Sequence, residues 1–203
     1  MKKTKVKENN IKSFIDESEE TIEIGINEQA INLIIDRLTD IYTDKIGSIV
    51  RELVSNALDA TYENKGKVYI QLPNLLDPNF IVKDEGVGMS ITDLKEVYTK
   101  YGASTKADDM NQIGAYGLGA KVPLAYTNVF SIETTKDGEK IKATVIRGKT
   151  KTSLNINKTE QTDEPNGTII KVPVEKEDFQ SFEDACKTYE KHKETLSSEV
   201  VIR

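Results

Sequence analysis

Apolar positions along the chain follow two periods, and their order sketches an α+β fold. "TIEIGI" (21–26) alternates like a half-buried strand. "NEQAINLIIDRLTDIY" then sets Ile31, Ile34, Ile35, Leu38 and Ile41 on one helical face. A second helix is predicted from about Asp44 to Glu63, with Ile46, Ile49, Val50, Leu53, Ala57 and Ala60 on its apolar side. "KVYIQL" and "NFIVKD" read as short strands around a Pro-containing turn at 73–79. "SITDLKEVY" opens with Ser90 and Asp93 in capping-box order, which starts a helix there. Residues 102–119 are polar and Gly-rich, and a connection that long is usually functional, such as an active-site lid. Beyond it period two takes over. "VFSIETT" and "KIKATVIRG" flank Lys136-Asp137-Gly138, a hairpin signal, and "TSLNINK" and "GTIIKVPV" continue the alternation. "DFQSFEDACKTYEKHKETL" is helical again, and "SEVVIR" begins another strand. Helices early and strands late predict a two-layer α/β sandwich whose mixed, largely antiparallel sheet is covered on one face by helices.

Composition narrows the function classes. At 203 residues the chain suits one domain with flanking pieces: a flexible arm over 1–18, a domain over 19–180, and a last stretch over 181–203 that reads as a helix and the start of a further, truncated segment. A net charge of −6 argues against a nucleic-acid binder working through bulk positive field. The single cysteine, Cys186, allows no internal disulfide and suits a reducing cytoplasm. No run approaches the ~20 apolar residues of a membrane span.

Candidate chemistry gathers in four places. "RELVSNALDA" puts Glu52, Asn56 and Asp59 at i, i+4 and i+7, one narrow polar stripe on an otherwise apolar helix. "IVKDEGVGM" ends a strand in Asp84 and follows it with Gly86, Gly88 and Met89. A carboxylate there can accept a hydrogen bond from an exocyclic amine, while the two glycines let a flat base lie close to the chain. "IGAYGLGAK" (113–121) holds Gly114, Gly117, Leu118, Gly119 and Lys121. It fits neither Walker A, since Lys121 comes one residue late and Val122 follows it, nor the dinucleotide fingerprint, since no strand runs into it. Gly167-Thr168 leads a late strand.

In order and spacing these pieces resemble the four sequence boxes of the GHKL ATPases: gyrase, heat-shock chaperone, histidine kinase and MutL. "DKIGSIVRELVSNALDA", "DPNFIVKDEGVGMS", "GAYGLGAKVPLAYTNVFSI" and "VPVEKEDFQSF" resemble more narrowly the amino-terminal domain of the phage RIIA (rapid-lysis) proteins, over roughly residues 20–185. The resemblance implies a Bergerat-type ATP-binding fold. It implies that Asp84 binds the adenine amino group with Thr168 in support, that Asn56 gives an oxygen to Mg2+, and that Glu52 is the base that orients or deprotonates the attacking water. Asp59 would organise the pocket floor. Gly114 would belong to the ATP-binding loop, in which Gly117 and Gly119 would turn backbone N–H groups toward the phosphates, helped by the dipole of a helix from about Ala120. Ser104, Thr105 and Lys106 resemble the lid's Ser/Thr-Lys segment, and either Lys106 or Lys121 meets a phosphate.

Histidine kinases carry Asn where Glu52 stands and a basic residue near Asp59, so the chain resembles the hydrolysing branch. His192 lies in a charged helical stretch and reads as solvated. Gyrase and MutL add a phosphate-sensing lysine from a following domain, and nothing after residue 180 resembles it. Three functions are therefore weighed. The first is a Mg-dependent, slowly hydrolysing switch domain that takes ATP and releases ADP, dimerises when loaded and serves a protein partner in the cytoplasm of a host cell. The second is a nucleotide-sensing interaction module without useful hydrolysis, and the third an anti-sigma-type protein kinase.

Overall fold

The computed structural model of the protein describes residues 44–99, 119–148, 151–191 and 196–203. The arm over 1–18, the strand at 21–26, the helix from Asn27 and residues 102–118 lie outside the described residues, as does His192.

Helix α1 spans Lys45–Ala60. Asp44 caps it, its carboxylate accepting from the Gly47 N–H at 2.8 Å, so one otherwise orphaned donor of the first turn is satisfied. At the other end the Thr61 hydroxyl folds back onto the Ala57 carbonyl (3.0 Å) and reaches Ser198 Oγ (2.9 Å), which stops the helix just short of the predicted Glu63. Ile49, Val50, Leu53, Val54 and Ala57 form the buried face that the 3.6-residue period requires.

Seven strands make one sheet: β1 (Val68–Gln71), β2 (Asn79–Asp84), β3 (Val129–Lys136), β4 (Glu139–Arg147), β5 (Thr152–Gln161), β6 (Gly167–Pro173) and β7 (Val200–Ile202). Their spatial order is β5-β4-β3-β6-β2-β1-β7. Every pairing is antiparallel except β1 with β7, which is parallel. The sheet is thus mixed and largely antiparallel, and the α+β reading holds. Asp137 (φ 51°) and Gly138 (φ 82°) form the two-residue turn between β3 and β4, where left-handed backbone at both positions matches the twist of the strands.

Directly paired residues share a face of the sheet, so the register fixes what meets the helices. One buried row reads Phe80 and Val172, then Phe130 and Val145. The next is Ile70, Val82, Ile170, Ile132 and Ala143. Against them pack α1, helix α2 (Ile91–Thr99) through Leu94 and Tyr98, and helix α3 (Phe179–Lys191) through Phe182 and Cys186. The Phe80 and Phe182 rings lie 5.0 Å apart. The third row, Val68, Asp84, Thr168, Thr134 and Ile141, is also buried but has a polar centre.

The helix expected from about Ala120 is a seven-residue 3-10 turn, Gly119–Ala125. Pro123 sits inside it, and a proline both lacks an N–H and collides with the carbonyl four residues back, so an α-helix does not propagate there.

Candidate functional site

Asp84 is the last residue of β2 and the only buried carboxylate among the described residues. Its Oδ1 accepts from the Gly86 N–H at 2.9 Å. Burial lifts its pKa from the ordinary 3.8 to about 6, opposed by the backbone N–H groups of Gly86 and Thr168, which favour the charged form. Near neutral pH it is an ionised acceptor held in an apolar wall.

The chain after Asp84 is fastened at each step. The Val87 N–H donates to the carbonyl of Ala60, the last residue of α1 (3.3 Å). Gly88 has φ 66°, and a Cβ there would stand 1.9 Å from the Thr135 carbonyl oxygen, so both conformation and space demand glycine. The Met89 N–H donates to Thr134 Oγ1 at 2.8 Å. The capping box then forms as its spacing predicts. Ser90 N–H donates to Asp93 Oδ2 (2.9 Å), and Asp93 N–H to Ser90 Oγ (3.2 Å). Lys136 of β3 donates to the same Asp93 oxygen at 2.7 Å and, with Ser90, holds that carboxyl down at about 2.

Thr168 stands opposite Asp84 in the β2–β6 register, and Thr134 opposite Thr168 in the β3–β6 register. Thr134 Oγ1 donates to the Gly167 carbonyl (3.1 Å) and lies 3.2 Å from Thr168 Oγ1. The sequence singles out Asp84 and Thr168 but not Thr134, which the sheet register brings beside them. Its signal was present: in "VFSIETT" the inward positions run Phe130, Ile132, Thr134, and a polar side chain in an inward register needs a partner.

The other end of the site lies along α1. Ala60 is eight positions beyond Glu52, about 12 Å along the helix axis. Glu52 is half-buried, and a Cβ on Gly119 would come within 2.5 Å of its Oε2, so the first residue of the 3-10 turn backs directly onto this carboxylate. Asn56 and Asp59 are exposed, on a stripe more open than the sequence suggests. Lys121 is buried; its ammonium donates to the Val97 carbonyl (2.7 Å) in the last turn of α2, and burial lowers its pKa to about 8. Ser104, Thr105, Lys106, Gly114, Gly117 and Leu118 lie outside the described residues.

The structure therefore brings Asp84, Gly86, Gly88, Met89, Thr168 and Thr134 to one end of α1, and Glu52 and Gly119 to a point two turns away. A cluster of acceptors at one end and a carboxylate beside Gly119 at the other suit an elongated ligand with an amine at one tip. Residues 44–178, well over half of the chain, match the family model for the histidine kinase-, DNA gyrase B- and HSP90-like ATPases. No curated protein sequence matches the chain.

Proposed function

The chain belongs to the histidine kinase-, DNA gyrase B- and HSP90-like ATPases, a family of ATP-binding domains, and from that premise we propose that it binds ATP with Mg2+ and hydrolyses it slowly as the switch domain of a phage RIIA-like protein. The observation that carries the site reading is Asp84: a buried ionised carboxylate beside Thr168 whose lone pairs outnumber the Gly86 and Thr168 N–H groups that already donate to it, and an adenine amine is a donor that would use the remainder. The RIIA assignment is supported by the connecting phrases around the four boxes. It brings with it a nucleotide-dependent homodimer, a protein partner and the host-cell cytoplasm. No helix among the described residues is long and apolar enough to cross a membrane.

A metal fits the residues present. Asn56 offers an amide oxygen, a hard donor, on the exposed stripe one turn after Glu52. Mg2+ would neutralise phosphate charge there.

The chain's own residues divide the remaining work. Asp84 and Thr168 read the base and fix the nucleotide along α1. Gly119 gives Glu52 room to approach the phosphate end. Glu52 positions a water and takes its proton. Incubation with ATP labelled in the terminal phosphate tests this: free phosphate is the expected product. Labelled protein would indicate phosphotransfer, and binding with no product would leave a nucleotide-sensing module.

A further inference from the structure

We propose that Thr134 determines the purine selectivity of this site by orienting the Thr168 hydroxyl, so that Thr168 presents only acceptor lone pairs to the base. The inference rests on the ATP-site reading above and adds to it a residue one strand further from the ligand.

A hydroxyl has one proton and two acceptor lone pairs. Thr134 is buried at 1% exposure, so its hydrogen bonds are made within the protein. The Met89 N–H occupies one lone pair at 2.8 Å. Its proton goes to the Gly167 carbonyl at 3.1 Å. The contact with Thr168 Oγ1 at 3.2 Å allows either oxygen to donate by distance alone. With Thr134's proton on the shorter contact to the carbonyl, its second lone pair is left for Thr168, which we take as the donor. Thr168 therefore turns its proton inward, toward β3, and its lone pairs toward the space beside Asp84.

Asp84, ionised, is itself acceptor-only. Two acceptors side by side match the two N–H groups of a 6-amino purine. They oppose the carbonyl oxygen of a 6-oxo purine, which would find no donor. Sites built on such buried polar groups discriminate strongly, because the wrong ligand leaves them unpaired. Without the Thr134 hydroxyl, Thr168 rotates freely and can offer its proton to an oxo group, and the discrimination weakens.

The test is calorimetric binding of ATP and of inosine triphosphate, which carries oxygen in place of the amine. The parent should prefer ATP. Thr134→Val should narrow that preference by about tenfold or more, while Thr134→Ser, which keeps the hydroxyl, should retain it. In a Thr168→Ala background, Thr134→Val should change the ratio no further, since it acts through the missing hydroxyl. The proposal is overturned if Thr134→Val keeps the parental ratio, or weakens both nucleotides equally as a merely structural residue would. Should melting curves show Thr134→Val unfolded, Thr168→Ala alone decides: an unchanged ratio there overturns it as well. A parent that binds neither nucleotide refutes the ATP site itself, which is a separate result.

Discussion

Replacing Asp84 with Asn should stabilise the protein and impair it at once. Burial raises this carboxyl from 3.8 to about 6, so the folded protein holds the proton more readily than the unfolded chain. The stability linked to that proton is complete below pH 3.8 and is lost as pH rises through about 6. The whole climb corresponds to about 3 kcal/mol. Asn has no such titration, and its side-chain oxygen can still accept from the Gly86 N–H. Its amide nitrogen, however, turns one acceptor into a donor, which adds a constant penalty of about 1 kcal/mol. Urea unfolding of parent and Asp84→Asn at pH 4 and pH 8 separates the two: because pH 4 already lies just above 3.8, the variant should gain about 2.4 kcal/mol on the parent between those pH values, whatever the constant offset. Binding should move the other way. The new donor faces the adenine amine, so affinity at pH 8 should fall about ten- to hundredfold, or ~1–3 kcal/mol. The parent's own affinity should decline as pH drops through about 6, and the variant's should stay flat. A variant with the parent's pH–stability profile, or with parental affinity at pH 8, refutes the argument.

Glu52→Ala should lose about 10²–10⁴-fold in hydrolysis while keeping ATP affinity within a few-fold of the parent; phosphate release at the parental rate would count against its role as base. Asn56→Ala should instead weaken Mg-dependent ATP binding and turnover together, measured by calorimetry with and without the metal. Gly119→Ala puts a methyl 2.5 Å from Glu52 Oε2, so it should lower turnover by displacing that carboxylate with little change in melting temperature; parental turnover would show the approach to be unimportant. Ser90→Ala removes one arm of the α2 capping box and should cost about 1 kcal/mol in urea unfolding.

Elements whose signals are local were legible in the chain. The Asp137-Gly138 hairpin, the Ser90/Asp93 capping box and the apolar face of α1 each depend on residues a few positions apart, and each forms as its pattern requires. Asp84 was legible because a carboxylate closing an apolar strand is unusual there. Thr134 was not, because a threonine in a strand is also a good strand former, and only the pairing of β3 with β6 brings it to Thr168. The destination of Lys121 was hidden for the same reason: the Val97 carbonyl that accepts from it belongs to another helix. The 3-10 turn is legible in the chain, since Pro123 breaks the pattern an α-helix from Ala120 would need.

The sheet order carries a consequence for how the protein acquires its activity. β3, β4 and β5 are neighbours in sequence as well as in space, so that meander closes through short loops and can form early. β6 lies between β3 and β2, joining segments far apart in the chain, and only this pairing sets Thr168 between Asp84 and Thr134. If Asp84 and Thr168 read the base as proposed, a chain lacking that pairing would hold strands, helices and even Glu52 on α1, yet be blind to adenine. On the proposed site reading, nucleotide binding therefore requires the most non-local pairing of the sheet, and ATP, by binding only the chain that has made it, stabilises that pairing.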